Sequence, residues 1–420
     1  MKRCGKRYWK LALAAVLSLS LSLAGCGAPG GDRMAGVRGR QGGNQADLNG
    51  PGAQAAADFS LKLLNAALEE NPGENALLSP LSVLCALAMT ANGSAGETRS
   101  QFEAVLGMPV EELGDYLAAY CAALPSGEGR QFHSANSLWL REGQVQVEKS
   151  FLEANAGIFD AAVFEKPFDG DTLEEINGWV EEHTGGMIPE ILREIKPEEV
   201  MYLINALAFE AEWEEIYEDG QVRERIFTQE DGTETQMERM ESTESWYLED
   251  ENATGFLKYY AGGQYAFGAL LPREGLTLGG YLQELDGQRL RQVLQGAQER
   301  DVIAGLPKFQ QECGFQLGEA LQGMGLTDAF DPAAADFSAM GQGSGGEPLY
   351  IGQVVHKTFL SVYEKGTKAG AATAVGVEAG SAMLEEPPQV FLDRPFLYML
   401  VDAKTMTPLF IGAEYKPNNG

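Results

Sequence analysis

The sequence predicts an α+β fold carried by one large domain, and three observations point there. From Ala55 to Lys416 the composition stays globular, with no second linker. Helical and strand-like runs are mixed, without the regular strand–helix alternation of a doubly wound parallel sheet. The 420 residues are 44% hydrophobic and 22% charged, which suits a large core and neither a disordered nor a fibrous chain. No internal repeat interrupts this pattern.

The elements follow in order. Phe59, Leu61, Leu63, Leu64, Ala67 and Leu68 recur mostly at three- and four-residue spacing, which predicts a first helix. Asn71-Pro72-Gly73 stops it. Ser79-Pro80-Leu81-Ser82 opens a second helix, with Ser79 as its N-cap and Pro80 in the first turn. Strands are expected at Ser137–Leu140, Met201–Phe209, Tyr265–Leu271 and Leu397–Val401. Further helices are expected at Leu173–Glu182 and Leu278–Ala297.

Charge and residue inventory exclude several functions. Sixty-one Asp and Glu face 31 Lys and Arg, a formal charge of −30 that repels nucleic-acid phosphates. The three histidines, His133, His183 and His356, never pair at metal-ligand spacing. His-Glu-x-x-His and Cys-x-x-Cys are both absent, so neither a metal nor a cofactor is expected. The acidic run Glu249-Asp250-Glu251 before Asn252 lacks EF-hand spacing and reads as a solvated loop. Gly341-Gln-Gly-Ser-Gly-Gly346 satisfies a dinucleotide fingerprint formally. A strand-like Leu349-Tyr-Ile follows it instead of a helix, so it reads as a loop. A serine hydrolase is disfavoured because no Gly-x-Ser-x-Gly is present.

The first residues read as an address. Met1 to Lys10 carries five basic and no acidic residues, and Leu11 to Ala24 is an apolar run of 14. That run is too short to span a bilayer and suits a signal-peptide core. Its end, Leu23-Ala24-Gly25-Cys26, resembles the lipobox of bacterial lipoproteins. The resemblance implies cleavage before Cys26, lipidation of its thiol, and a protein anchored to the cell membrane and facing outside the cytoplasm. Removing residues 1–25 leaves 26 basic against 61 acidic residues, a charge near −35, so anchoring would rest on the lipid. Residues 26–56 then form a flexible tether, and the folded domain spans 57–417. Cys85, Cys121 and Cys313 remain, an odd number that supports no disulfide framework.

The most informative stretch is a long soft segment. Leu360-Ser-Val-Tyr363 reads as a strand end and Val390-Phe-Leu as the next strand, with about 26 residues between them. Gly366 to Ala382 holds six alanines, four glycines, two threonines, two valines and one serine, with no aromatic, Leu or Ile. Read as a strand, Thr367, Ala369, Ala371, Thr373 and Val375 share one face, all small or β-branched. Such a face can slip between other strands, while Lys368 on the opposite face stays in solvent. The segment is therefore suited to exposure in one state and to sheet pairing in another.

Glu364-Lys-Gly-Thr-Lys-Ala-Gly-Ala-Ala-Thr-Ala is similar to the hinge of the serpins, the serine protease inhibitor family. Val390-Phe-Leu-Asp-Arg-Pro-Phe-Leu-Tyr-Met-Leu400 resembles the family's C-terminal signature. Further similar segments occur in family order. They are Asn75-Ala-Leu-Leu-Ser-Pro-Leu-Ser82, Ala135-Asn-Ser-Leu-Trp-Leu140 and Ile176-Asn-Gly-Trp-Val-Glu-Glu-His-Thr-Gly185. Asn205-Ala-Leu-Ala-Phe209 with Trp213, Leu306-Pro-Lys-Phe309 and Val355-His-Lys-Thr-Phe359 complete the set. The resemblance implies three β-sheets, eight or nine helices and an exposed reactive-centre loop at about 364–389. It also implies a protease inhibitor and no enzyme of its own. A target serine protease, or a cysteine protease, attacks the loop and forms an acyl-enzyme; the loop then inserts into the main sheet and distorts the protease. A monomer is expected. The alternative is a non-inhibitory member acting as a surface binding or carrier protein.

The resemblance also assigns roles. Glu364 begins the hinge and pairs with Lys308, Gly366 supplies the turn, and Thr367 is the first side chain swallowed, followed by Ala369, Ala371 and Thr373. Lys368 and Gly370 depart from the glutamate and alanine usual at their positions, both on the outward face. Ser79, Ser82, Asn205 and His356 match the shutter beneath the opening of the main sheet, and Trp213 matches the breach at its top. Counting seventeen residues inclusively from Glu364 puts the reactive bond at Gly380-Ser381; counting back from Pro395-Phe396 moves it later, through Ala382 or Met383 up to Leu384. No Arg or Lys lies from Gly376 to Gln389, so elastase-, chymotrypsin- or subtilisin-like targets are expected over trypsin-like ones.

Overall fold

The computed structural model describes residues 46–124, 132–155, 162–197, 199–367 and 386–417. In chain order these form α1 (Pro51–Glu70), β1 (Ala76–Leu78), α2 (Pro80–Ala91), α3 (Gly96–Leu106) and α4 (Val110–Ala123). β2 (Phe132–Arg141), β3 (Val145–Val147), α5 (Lys149–Asn155), β4 (Ala162–Lys166) and α6 (Gly170–His183) follow. Next come β5 (Met201–Phe209), β6 (Ala211–Glu212), β7 (Val222–Thr228), β8 (Glu234–Glu249), β9 (Ala253–Tyr259) and β10 (Tyr265–Pro272). Helices α7 (Leu278–Glu284) and α8 (Gly287–Gln295) lead to β11 (Gln298–Pro307), β12 (Phe309–Gln316) and α9 (Gly318–Gly323). The last strands are β13 (Gly341–Gly343), β14 (Gln353–Tyr363), β15 (Gly366–Thr367), β16 (Gln389–Phe391), β17 (Phe396–Asp402) and β18 (Thr407–Glu414).

Among the described residues there are three sheets and nine α-helices, as the expected α+β architecture requires. One sheet has nine strands in the order β1-β18-β17-β10-β9-β8-β11-β16, with β7 on β8. The main sheet has seven, in the order β4-β2-β5-β14-β15-β6, with β12 on the far side of β14. A ribbon of β3 and β13 is the third. β5 reads Met-Tyr-Leu-Ile-Asn-Ala-Leu-Ala-Phe and is buried at every residue, because both faces of the main sheet are covered. On one face Leu203, Leu207 and Phe209 join the principal core together with α2 and the nine-stranded sheet. On the other, Tyr202, Ile204, Ala206 and Ala208 meet Ile176 and Val180 of α6. Helix α2 is buried on all sides, which explains its nearly uniform apolar sequence.

Several sequence expectations need correction. The run Leu278–Ala297 is two helices, because Asp286 accepts a hydrogen bond from Arg289 N and starts a new helix at Gly287. The first helix begins at Pro51, inside the stretch 26–56 assigned to the tether. Gly52 packs there against the Tyr116 ring, where a Cβ would lie 2.3 Å from the nearest ring atom. Ser79 occupies the N-cap position of α2 without capping it, since its hydroxyl donates to Leu409 O at 2.8 Å. Asp250 is not a solvated loop residue. Arg289 Nε at 3.0 Å, the Tyr281 hydroxyl at 3.1 Å and the Ala253 amide at 2.7 Å all hold its carboxylate. Leu349-Tyr-Ile is coil, and Gly341–Gly343 pairs with β3 ahead of it.

Candidate functional site

The site is a seam in the main sheet. β5 and β14 are neighbours in parallel register from Tyr202↔Gln353 to Ala208↔Phe359. Beyond that point they part, and β15 lies in the gap. Gly366 and Thr367 pair antiparallel with Tyr363 and Val362 on one side and with Glu212 and Ala211 on the other. The two strands are thus zipped below and wedged apart above by two residues of the long soft segment.

Thr367 was expected to enter the sheet only on insertion; here it is already inside. It is 0% exposed, and its hydroxyl lies 2.8 Å from the Tyr260 hydroxyl. Gly366 makes the turn possible at φ +148, and a Cβ there would lie 2.1 Å from Ala211 O. Gly366→Ala is therefore expected to expel β15 and lower stability by about 1–3 kcal/mol, which urea denaturation of the variant would read. A variant as stable as the wild type would show that the wedge contributes nothing.

Around the wedge lies a tight aromatic and charged setting. The Trp213 ring stacks on Tyr260 with centroids 4.3 Å apart, and its Nε1 donates to Tyr363 O at 2.9 Å. Its backbone N–H donates to Lys365 O, and that of Tyr217 to Glu364 O. Lys258 Nζ is buried 2.8 Å from Glu244 and lies 4.4 Å from the Tyr217 ring centroid. Lys308 Nζ reaches both Glu364 and Glu238 at 2.8 Å. Partial burial pushes the Glu364 carboxyl up, but the hydrogen bond and charge of Lys308, with a backbone hydrogen bond, together outweigh it and hold it below the usual range. Both partners are about one-third exposed, so this pair contributes no more than about 1 kcal/mol.

Lower down, a continuous hydrogen-bond chain crosses the seam. Ser79 N–H donates to His356 Nε2 at 3.0 Å, so Nδ1 carries the proton and donates to Asn205 Oδ1. Asn205 Nδ2 donates in turn to Ser82 Oγ. Thr358 Oγ1 donates to Leu77 O at 2.7 Å. Helix α2 and the residues before it thereby hold β5 through Asn205 and β14 through His356. Burial pulls the His356 imidazole down to a pKa of about 3, so it is neutral.

The structure brings together Glu364, Gly366, Thr367, Trp213 and Lys308 at the open end, and Ser79, Ser82, Asn205 and His356 at the zipped end. Cys26, Ala369, Ala371, Thr373, Gly380, Ser381, Ala382, Met383 and Leu384 lie outside the described residues. Tyr260, Tyr217, Lys258 and Glu244 were not singled out from sequence. Lys258 and Tyr260 are two apart at the end of a strand-like run, so alternation alone would have placed them on one face.

The comparisons with known proteins agree with this geometry. The family model described as Serpin (serine protease inhibitor) matches residues 54–417. The thermophilic serpin tengpin in its native state superposes with a TM-score of 0.85 at 41% identity, over 92% of this chain and 99% of that one. Tengpin in its latent state gives 0.76 at 43% identity, over 87% and 98%. An uncharacterized serpin-like protein of Thermococcus kodakarensis is 31% identical over 88% of this chain and 87% of its own length. Human serpin B9 is 30% identical over 87% and 99%. Together with the three-sheet fold, these matches show that the chain belongs to the serpins, a family mostly of serine protease inhibitors rather than enzymes.

Proposed function

We propose that this chain traps serine proteases of the elastase, chymotrypsin or subtilisin type as a suicide substrate. The observation that carries this reading is the wedge: Gly366 and Thr367 stand between parted strands, with the rest of the seam still zipped below them. Each further small residue of the loop would extend β15 by one ladder position as β5 and β14 separate. The protease serine attacks the carbonyl of the reactive bond, assigned to Gly380-Ser381 or a later bond up to Leu384. The amine of the following residue leaves with a proton, and an ester to the protease remains. Cutting the loop frees its N-terminal half from its C-terminal half, so it can follow Thr367 into the sheet. Insertion then adds ladder hydrogen bonds between the parting strands and carries the ester-linked protease with it. Residues Ser79, Ser82, Asn205 and His356 act as the shutter that must part, and Trp213 with Lys308 as the breach at the entry. Residues 1–25 direct export, and lipid on Cys26 holds the domain at the membrane surface outside the cytoplasm.

Mixing the protein with elastase-, chymotrypsin- and subtilisin-like enzymes, followed by a denaturing gel, tests the trapping. The expected result is a band at the summed mass that survives boiling, with a released C-terminal peptide whose first residue locates the bond. Clean cleavage by all three without that band would replace trapping with the carrier reading.

A further inference from the structure

Cys85 and Cys121 face each other with their sulfurs 3.9 Å apart, one on α2 and the other in the last turn of α4. Both are reduced, and Cys121 is the more exposed of the two. We propose that they form a reversible disulfide that restrains opening of the main-sheet seam. Bond formation requires the sulfurs to close to about 2 Å, which side-chain rotation and a small shift of the last turn of α4 supply. The position of the pair gives the bond its consequence. Cys85 lies three residues after Ser82, on the helix whose start bonds Asn205 of β5 and adjoins the His356 contact to β14. After an eight-residue connection from α4 the chain enters β2, which pairs with β5 from Phe132↔Phe209 to Leu140↔Met201. Opening the seam moves β5, with β2 attached, away from β14. A bond from α4 to α2 would tie the start of that moving half to the helix that spans the seam.

The oxidant is a small-molecule disulfide, as expected for an exported protein. The Cys121 thiolate attacks it, expels one small thiolate and becomes a mixed disulfide. The Cys85 thiolate then attacks the Cys121 sulfur and expels the second. Two cysteine thiols lose two electrons and two protons, and the small disulfide gains them as two thiols. The hydrogen bond to Cys121 and burial both raise the Cys85 thiol pKa, which makes this exchange slow.

The functional half of the proposal rests on the loop-insertion reading, so the test separates the two. The full chain is equilibrated with oxidised or reduced glutathione, alkylated and digested with trypsin. Peptides 63–99 and 100–130, which carry the two cysteines, should be linked only in the oxidised sample. A synthetic peptide copying residues 366–376 is then offered to each form as a probe of seam opening, with no protease present. The oxidised protein should take it up at least about tenfold more slowly, with reductant restoring the rate. Cys121→Ala should abolish the difference and Cys313→Ala should retain it. Absence of the linked peptides overturns the proposal. So does a bond that leaves uptake unchanged, or a reduced protein that takes up no peptide. Failure to trap a protease, with these results intact, would count against the proposed function alone.

Discussion

Thr367→Arg is expected to turn a trap into a substrate. The guanidinium would sit where Thr367 is wholly buried against Tyr260, with β6 on one side and β14 on the other. Burying a charge without a partner costs several kcal/mol, and that cost falls on every state in which residue 367 is inside the sheet. Insertion competes with hydrolysis of the acyl-enzyme, so a loss of about 3 kcal/mol shifts the partition by about a hundredfold toward hydrolysis. The measurement is the ratio of boiling-resistant complex to cleaved inhibitor at fixed protease, in the variant and the wild type. Cleavage should continue at an unchanged rate while the complex disappears. If the arginine variant traps as well as the wild type, position 367 does not enter the sheet during inhibition. Because Thr367 is already inside before any cleavage, the variant should also release β15 in the uncut protein. Protease sensitivity near Gly366 would then rise.

Acidification should weaken the protein through one histidine. Neutral His356 accepts from Ser79 N–H and donates to Asn205, and burial holds its pKa at about 3 against about 6.5 when unfolded. Between these values the unfolded chain binds the extra proton and the folded chain does not. Stability is therefore complete above about pH 6.5 and falls by about 1.4 kcal/mol for each unit below it, down to about pH 3. Glu364, Glu111 and Glu241 have carboxyl values below the ordinary one, so their losses come only at lower pH and in the same direction. From pH 6.5 to 5 the histidine dominates, while the Glu70 carboxyl, raised by burial, acts in the opposite direction and only toward the acid end. Urea unfolding across it should show a drop of about 2 kcal/mol in the wild type. His356→Phe should be flat there, on a baseline lowered by about 3 kcal/mol because Ser79 N–H and Asn205 lose their partner. An equal slope in both proteins would assign the pH dependence elsewhere.

The contrast between Asn205 and Ser79 shows what could be read from the chain alone. Both stand in motifs that the sequence shows, and both lie in the seam network. Nothing local, however, could say that the Ser79 hydroxyl would leave its own helix for Leu409 O, a partner 330 residues away. β5 was legible to the residue, because a strand buried on both faces is a continuous apolar run. The stretch Leu278–Ala297 misled because its apolar spacing survives the break, which falls at the extended Leu285 and Asp286, and Gly287 then opens the next helix in close contact with Asp58. Tyr260 was missed for a similar reason. A tyrosine at a strand end carries no mark until Trp213 stacks on it and Thr367 meets its hydroxyl.

What the sequence by itself determined is the order of elements, the identity of the soft segment and the smallness of its alternating face. These are local properties, since side-chain volume, branching and spacing act over a few residues. The tertiary structure alone decided that the seam is zipped from Gln353 to Phe359 and open above, and that Thr367 is already within it. It also decided that Lys308 lies between two carboxylates and that Cys85 meets Cys121. Those facts depend on which strands part and by how far. That is a balance of ladder hydrogen bonds, buried polar contacts and packing between segments up to hundreds of residues apart, and no stretch of sequence carries that balance alone.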